Sequence, residues 1–153
     1  YFEILGLVRD KIGVGGISMG GITTCMLLTQ HPEINVAACV MGSPAPIKYR
    51  ERIAMHAGEL GFYLPKDYRE LTSWLEKYDL SLEPEKIDGR PVFFWHGTED
   101  EKVPYQHTAD FIKANPQDNI TFVSAKERHF VQIATMDQIT DFFAANLENI
   151  EGR

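Results

Sequence analysis

Ile12-Gly13-Val14-Gly15-Gly16-Ile17-Ser18-Met19-Gly20-Gly21-Ile22 reads as a short strand that turns sharply into a helix, with a serine at the corner. The strand occupies Ile12 to Gly15 and is kept slim by glycine. The helix runs from Met19 to Gln30, with Ile22 and Met26 four residues apart on one face. His31-Pro32 stops it, because the residue before a proline is pushed out of the helical region. Gly16-Ile17-Ser18-Met19-Gly20 matches G-x-S-x-G, a pattern with little weight alone and much more between a strand and a helix. The spacing predicts steric crowding at positions 16 and 20 and a strained serine whose hydroxyl stands above the sheet. The first helical N–H groups then point at the same spot, where the helix dipole favours negative charge. The competing role for Ser18 is that of a plain N-cap.

Outward from this corner, strand and helix patterns alternate. Val36 to Met41 is a continuous apolar run, as in a strand buried on both faces, and Gly42-Ser43-Pro44-Ala45-Pro46 breaks it. Strand character returns at Pro91 to Trp95 and at Ile120 to Val123. Pro104 opens one helix and Asn115-Pro116 ends it, while the last helix spans about Val131 to Leu147. The alternation predicts an α/β fold, a parallel sheet flanked by helices, with four strands visible. Residues 47–82 lack a strand signal and read as a small inserted helical cap. Its clearer helix places Leu71, Trp74, Leu75 and Tyr78 on one face. Phe62, Tyr63 and Trp74 in this segment either line a substrate pocket or pack the cap onto the body.

The length, 153 residues, suits one domain with a sizeable core, and 44% apolar residues mark a globular chain. A net charge of -7, with scattered basic residues, argues against a nucleic-acid partner. No apolar run approaches a membrane span and no signal peptide opens the chain, so a soluble cytoplasmic protein is expected. Cys25 and Cys39 have no motif spacing and read as buried, reduced core residues. No His/Cys cluster has metal-ligand spacing, and the chemistry calls for no cofactor. Ile150-Glu151-Gly152-Arg153 resembles a protease-recognition remnant and is set apart from residues 1–149.

A serine nucleophile needs a base, and the base needs a carboxylate. Of the five histidines, His31 reads as a surface C-cap, His56 lies in the cap, His107 starts a helix, and His96 precedes a glycine and suits fixing the following loop. His129 lies in the turn between the last strand and the last helix, where it can overhang the carboxyl edge of the sheet, the edge at which such folds bind ligands. In His96-Gly97-Thr98-Glu99-Asp100-Glu101, closed by Val103-Pro104, Asp100 is the leading acid and Glu99 the second choice. The chain order is then Ser18, Asp100, His129.

That order, with Gly15-Gly16-Ile17-Ser18-Met19-Gly20-Gly21, Phe94-Trp95-His96-Gly97-Thr98-Glu99-Asp100, Val103-Pro104 and Glu127-Arg128-His129, resembles the α/β-hydrolases. The chain is similar to the C-terminal half of the dienelactone-hydrolase and prolyl-oligopeptidase-like group, nearest to small bacterial carboxylesterases. The resemblance covers nearly all of the chain except the tail. It implies a serine hydrolase acting on small-molecule esters through Ser18, His129 and Asp100, with the Met19 N–H as an oxyanion donor. A peptidase or thioesterase with the same triad, or a non-catalytic half-fold assembly module, are the alternatives. Members of the group begin with further strands and a loop, often containing His-Gly, that supplies a second oxyanion donor. This chain opens just before its nucleophile strand, so the resemblance implies a fragment, or a homo-oligomer formed through the bare edge of that strand.

Overall fold

The computed structural model describes residues 11–59 and 61–148, and the reading of the tail at 150–153 lies outside them. The elements follow in the order β1 (Gly13–Ile17), α1 (Met19–Gln30), β2 (Val36–Val40), α2 (Pro46–His56), α3 (Tyr68–Leu71), β3 (Val92–Gly97), α4 (Tyr105–Ala114), β4 (Ile120–Ala125) and α5 (Ile133–Glu148). Two 3-10 helices, Ser73–Tyr78 and Pro84–Ile87, lie between α3 and β3. The four strands form one sheet in the order β1-β2-β3-β4, and every pair is parallel. All three parallel connections therefore carry helices, as the alternation predicts.

Alternate strand residues divide the core between the two faces of the sheet. Ala37, Cys39, Val92 and Phe94 join Cys25 and Leu28 of α1 and Phe111 of α4. Ala38, Val40, Phe93 and Trp95 join Ile139 of α5. Each large side chain of this kind contributes about 1.5–3 kcal/mol by leaving water. β2 and β3 are buried along their whole lengths, which is why both read as unbroken apolar runs. On β1 the small residues have a packing reason: a Cβ on Gly13 would meet the ring of Phe143, 2.7 Å away on α5. Both cysteines are buried and free.

Arg90 ties the far side of the sheet together. Its Nε donates to the Ile87 carbonyl at 2.9 Å, Nη1 to those of His31 (2.9 Å) and Ile34 (3.3 Å), and Nη2 to Leu28 (2.8 Å) and Lys86. One planar fork thus satisfies the end of α1, the entry to β2 and the turn before β3.

Some expected boundaries change, β3 and β4 each running two residues further, to Gly97 and Ala125. β1 continues to Ile17 rather than ending at Gly15, because its register against β2 runs from Gly13↔Val36 to Ile17↔Val40. The last helix starts at Ile133, two residues later than its apolar pattern suggests. The amphipathic helix through Leu71, Trp74, Leu75 and Tyr78 is one α-turn followed by a 3-10 helix. With three residues per turn those four side chains no longer share a stripe, and Leu71 and Trp74 are more than half exposed. Phe62 and Tyr63 are exposed as well, and Trp74 meets Tyr78 edge-on at 5.9 Å.

No helix of the described residues is long and apolar enough to cross a membrane. On the face of the sheet that packs α5, an apolar groove of about 680 Å³ is lined by residues such as Gly13 and Ile17 of β1, Val40 of β2, and Met136 and Phe143 of α5.

Candidate active site

Ser18 sits between β1 and α1 with φ 58° and ψ -115°. A non-glycine residue in this region carries strain of about 1–3 kcal/mol. The neighbours impose it. The Ser18 N–H donates to the Val40 carbonyl at 2.8 Å and its carbonyl accepts from Ile22 N–H at 3.1 Å, so both sides of the corner are fixed. A Cβ on Gly16 would fall onto the Gly20 backbone, as the crowding argument requires. Position 20 differs from expectation: a Cβ there meets nothing within 4 Å. Gly20 supplies the backbone that Gly16 packs against, and the next tight position is Gly21, beside the Val40 carbonyl and Gly42 Cα. The Ser18 side chain makes no capping hydrogen bond, so its hydroxyl is not spent on the helix.

That hydroxyl meets His129. Ser18 Oγ and His129 Nε2 are 2.8 Å apart, and His129 Nδ1 is 2.7 Å from Asp100 Oδ2. A carboxylate only accepts, so Nδ1 carries the proton and Nε2 is left bare to accept from Ser18 O–H. The Asp100 side chain is fully buried and that of His129 is 15% exposed. Asp100 Oδ1 accepts from the N–H groups of Lys102 and Val103, both at 2.9 Å, which holds the acid at the mouth of its loop.

Loop-to-loop backbone pairing brings acid and base together. Thr98 N–H donates to the Ala125 carbonyl at 2.8 Å and Glu99 N–H to the Glu127 carbonyl at 3.0 Å. Gly97 lies so close to the Glu127 and Arg128 carbonyls that a Cβ would overlap them. The acids flanking Asp100 point elsewhere: Glu101 pairs with Arg128 at 2.7 Å and Glu99 faces Lys126 at 3.7 Å. Glu99, the second choice for the acid, is thus not the partner of His129. Met19 opens α1, so its N–H is one of the first-turn amides that have no acceptor within the helix.

The remaining histidines fall apart from this group or behind it. His31 caps α1 and bonds Glu33 at 2.7 Å, while His56 ends α2 beside Glu59 at 2.9 Å. His107, half-buried on α4, is 3.1 Å from Ser43 Oγ. His96 is wholly buried, with Nε2 at 2.8 Å from the Val103 carbonyl and 3.3 Å from Asp100 Oδ2. Burial holds both His96 and His107 below the ordinary 6.5, His96 against the pull of the Val103 carbonyl and Asp100. Sequence reasoning found the loop-fixing role of His96 but not its contact with the acid, which exists only because β3 parity and the acid loop converge. It also missed Arg52 of α2, whose Nη2 donates to the Glu101 carbonyl at 2.6 Å and ties the residues after β2 to the acid loop.

The model of the prolyl oligopeptidase family matches residues 6–149. The chain belongs to the prolyl oligopeptidase family. This is an esterase- and peptidase-like family of serine hydrolases. Among curated proteins it is 40% identical over 115 residues to "Putative esterase YitV" of Bacillus subtilis (strain 168), covering 72% of this chain and 45% of that protein. It is 24% identical over 151 residues to "Esterase YjfP" of Escherichia coli (strain K12), covering 92% of this chain and 59% of that one. The chain therefore spans about half the length of the curated relatives it matches. A solved puromycin-hydrolyzing peptidase of Mycobacterium tuberculosis shares the fold with TM-score 0.75 at 18% identity, covering 95% of this chain and 23% of that one.

Proposed function

We propose that this chain carries the catalytic residues of a hydrolase for carboxylic esters, with Ser18 as nucleophile, His129 as base and Asp100 as the acid that orients it. The observation behind this reading is the hydrogen-bonded run from Ser18 Oγ through His129 to Asp100 Oδ2, at 2.8 and 2.7 Å. Ser18 Oγ attacks the acyl carbonyl as His129 Nε2 takes its proton. Asp100 stabilises the imidazolium, and the Met19 N–H donates to the new oxyanion. His129 then protonates the leaving alcohol. Water repeats the sequence on the acyl-enzyme, returning Ser18 and releasing the acid.

The ester preference is supported by the word esterase in the names of both curated relatives. A peptidase reading is supported by the family and by the peptidase that shares the fold. The triad does not separate the two, because the leaving group leaves the catalytic constellation unchanged. Residues 47–82 act as a cap in this reading. The contact from Arg52 sets α2 beside the acid loop, and exposed Phe62, Tyr63 and Trp74 are available to an apolar acyl or alcohol group.

The test is a fluorophosphonate probe with the adduct mapped by mass spectrometry. Labelling at Ser18 that vanishes in His129→Ala is the expected result. Absence of labelling both in this chain and in a longer polypeptide restoring the length of its relatives would sink the triad assignment. A parallel panel of ester, thioester and aminoacyl-amide substrates on the labelled form ranks the leaving groups.

A further inference from the structure

We propose that His96 is a positioning residue for Asp100, its buried Nε2 edge holding Val103 and lying against the same carboxylate oxygen that accepts the proton of His129. The inference rests on the hydrolase reading for its purpose, though not for its geometry.

The Val103 carbonyl can only accept, so the 2.8 Å contact fixes the His96 proton on Nε2. Nδ1 is then bare and accepts from the Thr108 hydroxyl at 3.2 Å, nearer than that hydroxyl's other acceptor, the Gly42 carbonyl at 3.4 Å. The same Nε2 edge of the ring lies against Asp100 Oδ2 at 3.3 Å, while its proton is directed at the Val103 carbonyl. A closed circuit results. Val103 gives its N–H to Asp100 Oδ1 and takes the His96 proton on its carbonyl, while His96 returns to Asp100 Oδ2. Without His96, Oδ1 stays tied to two amides, but among the described residues only His129 holds Oδ2, and the carboxylate is free to tilt away from the base.

The fold puts His96 there by parity. Val92, Phe94 and His96 alternate onto one face of β3, the face covered by α4. The titratable groups facing this cluster are Asp100 and His129 from the loops, and Tyr105 and His107 from α4, with the Tyr105 ring edge-on to His96 at 6.0 Å. Burial keeps His96 neutral, so Asp100 shares its charge with one cation, the His129 imidazolium, rather than two.

Nitrogen-15 NMR of the imidazoles in the unaltered chain tests the arrangement directly. The expected signature is a His96 that carries its single proton on Nε2 and is still neutral at the ordinary imidazole value of 6.5. A proton on Nδ1, or a second proton taken up at or above that value, overturns the proposal. This arm needs no variant to fold. In His96→Phe the downfield proton of His129 Nδ1–H broadens, and in His96→Gln, which keeps a donor near Nε2, it sharpens again. With the fluorophosphonate probe, His96→Phe lowers the maximal inactivation rate roughly tenfold, the size of one lost intramolecular hydrogen bond. The half-saturating probe concentration does not move. An unchanged signal and rate in folded His96→Phe also overturns it, whereas failure of the unaltered chain to label sinks the hydrolase reading and leaves the NMR arms to judge His96.

Discussion

Gly97 and Glu127 touch through their backbones, with no room for a side chain on Gly97 against the Glu127 carbonyl. This contact joins the loop of the acid to the loop of the base, and the same carbonyl accepts from Glu99 N–H at 3.0 Å. Gly97→Ala is therefore expected to push the two loops apart. It should cost about 1–3 kcal/mol of stability, as overpacking does, and slow labelling of Ser18 by more than its effect on the folded fraction. Urea unfolding alongside probe kinetics separates the two losses.

Asp100→Asn should remove most of the reactivity while preserving the fold. The amide keeps an acceptor for the Lys102 and Val103 N–H groups but presents the wrong partner to His129 Nδ1–H. A loss of roughly 10⁴ in rate is expected from the disturbed tautomer. Labelling that persists at the rate of the unaltered chain would dismiss Asp100 as the acid, and Glu99→Gln, expected to be near-silent, serves as the control.

Stability should fall below neutral pH through His96 and His107. Burial lowers both from their ordinary 6.5, so the unfolded chain binds more protons than the folded one in the window beneath that value. Stability is then fully present above about pH 6.5 and is lost as pH drops toward the depressed folded values. Urea midpoints between about pH 7.5 and 5 measure the slope, and His96→Gln should flatten it. A flat profile in the unaltered chain would show that these imidazoles do not stay neutral on folding.

Arg90→Lys should destabilise the chain although charge is kept. A lysine cannot span the carbonyls of Leu28, His31, Ile34, Lys86 and Ile87 that the guanidinium satisfies together. Leaving some of them without partners costs about 1–3 kcal/mol. A thermal midpoint equal to that of the unaltered chain would contradict this.

Phe94→Ala opens the core between α1 and α4, where Phe94 is fully buried and lies 6.1 Å from the Phe111 ring. The expected cost is about 3–5 kcal/mol, read by denaturant midpoint.

Much of this was legible in the residues. The strand-serine-helix corner, the acid loop and the position of His129 each follow from local patterns, and each sits at the carboxyl end of a strand. Runs such as Val36 to Val40 announce burial because both faces of the sheet are covered. What was not legible depends on how the loops fold back, whether the partners are near or far in the sequence. The Gly97 contact, the reach of His96 to Asp100 Oδ2 and that of Arg52 to Glu101 join residues whose patterns carry no trace of one another. The 3-10 helix at Ser73–Tyr78 escaped for another reason: apolar spacings of three and four fit either helix period over so short a stretch.

The positive φ of Ser18 sets folding and use against each other. Glycine would relax at this corner, so a chain selected for stability alone would shed the serine early, and a design procedure that scores only the fold would replace it. A residue that strains the backbone is thus the one whose hydroxyl meets the base. In a copy released from any demand to react, Ser18 should drift long before Phe94 does, which makes this single dihedral angle a marker of whether a descendant is still at work.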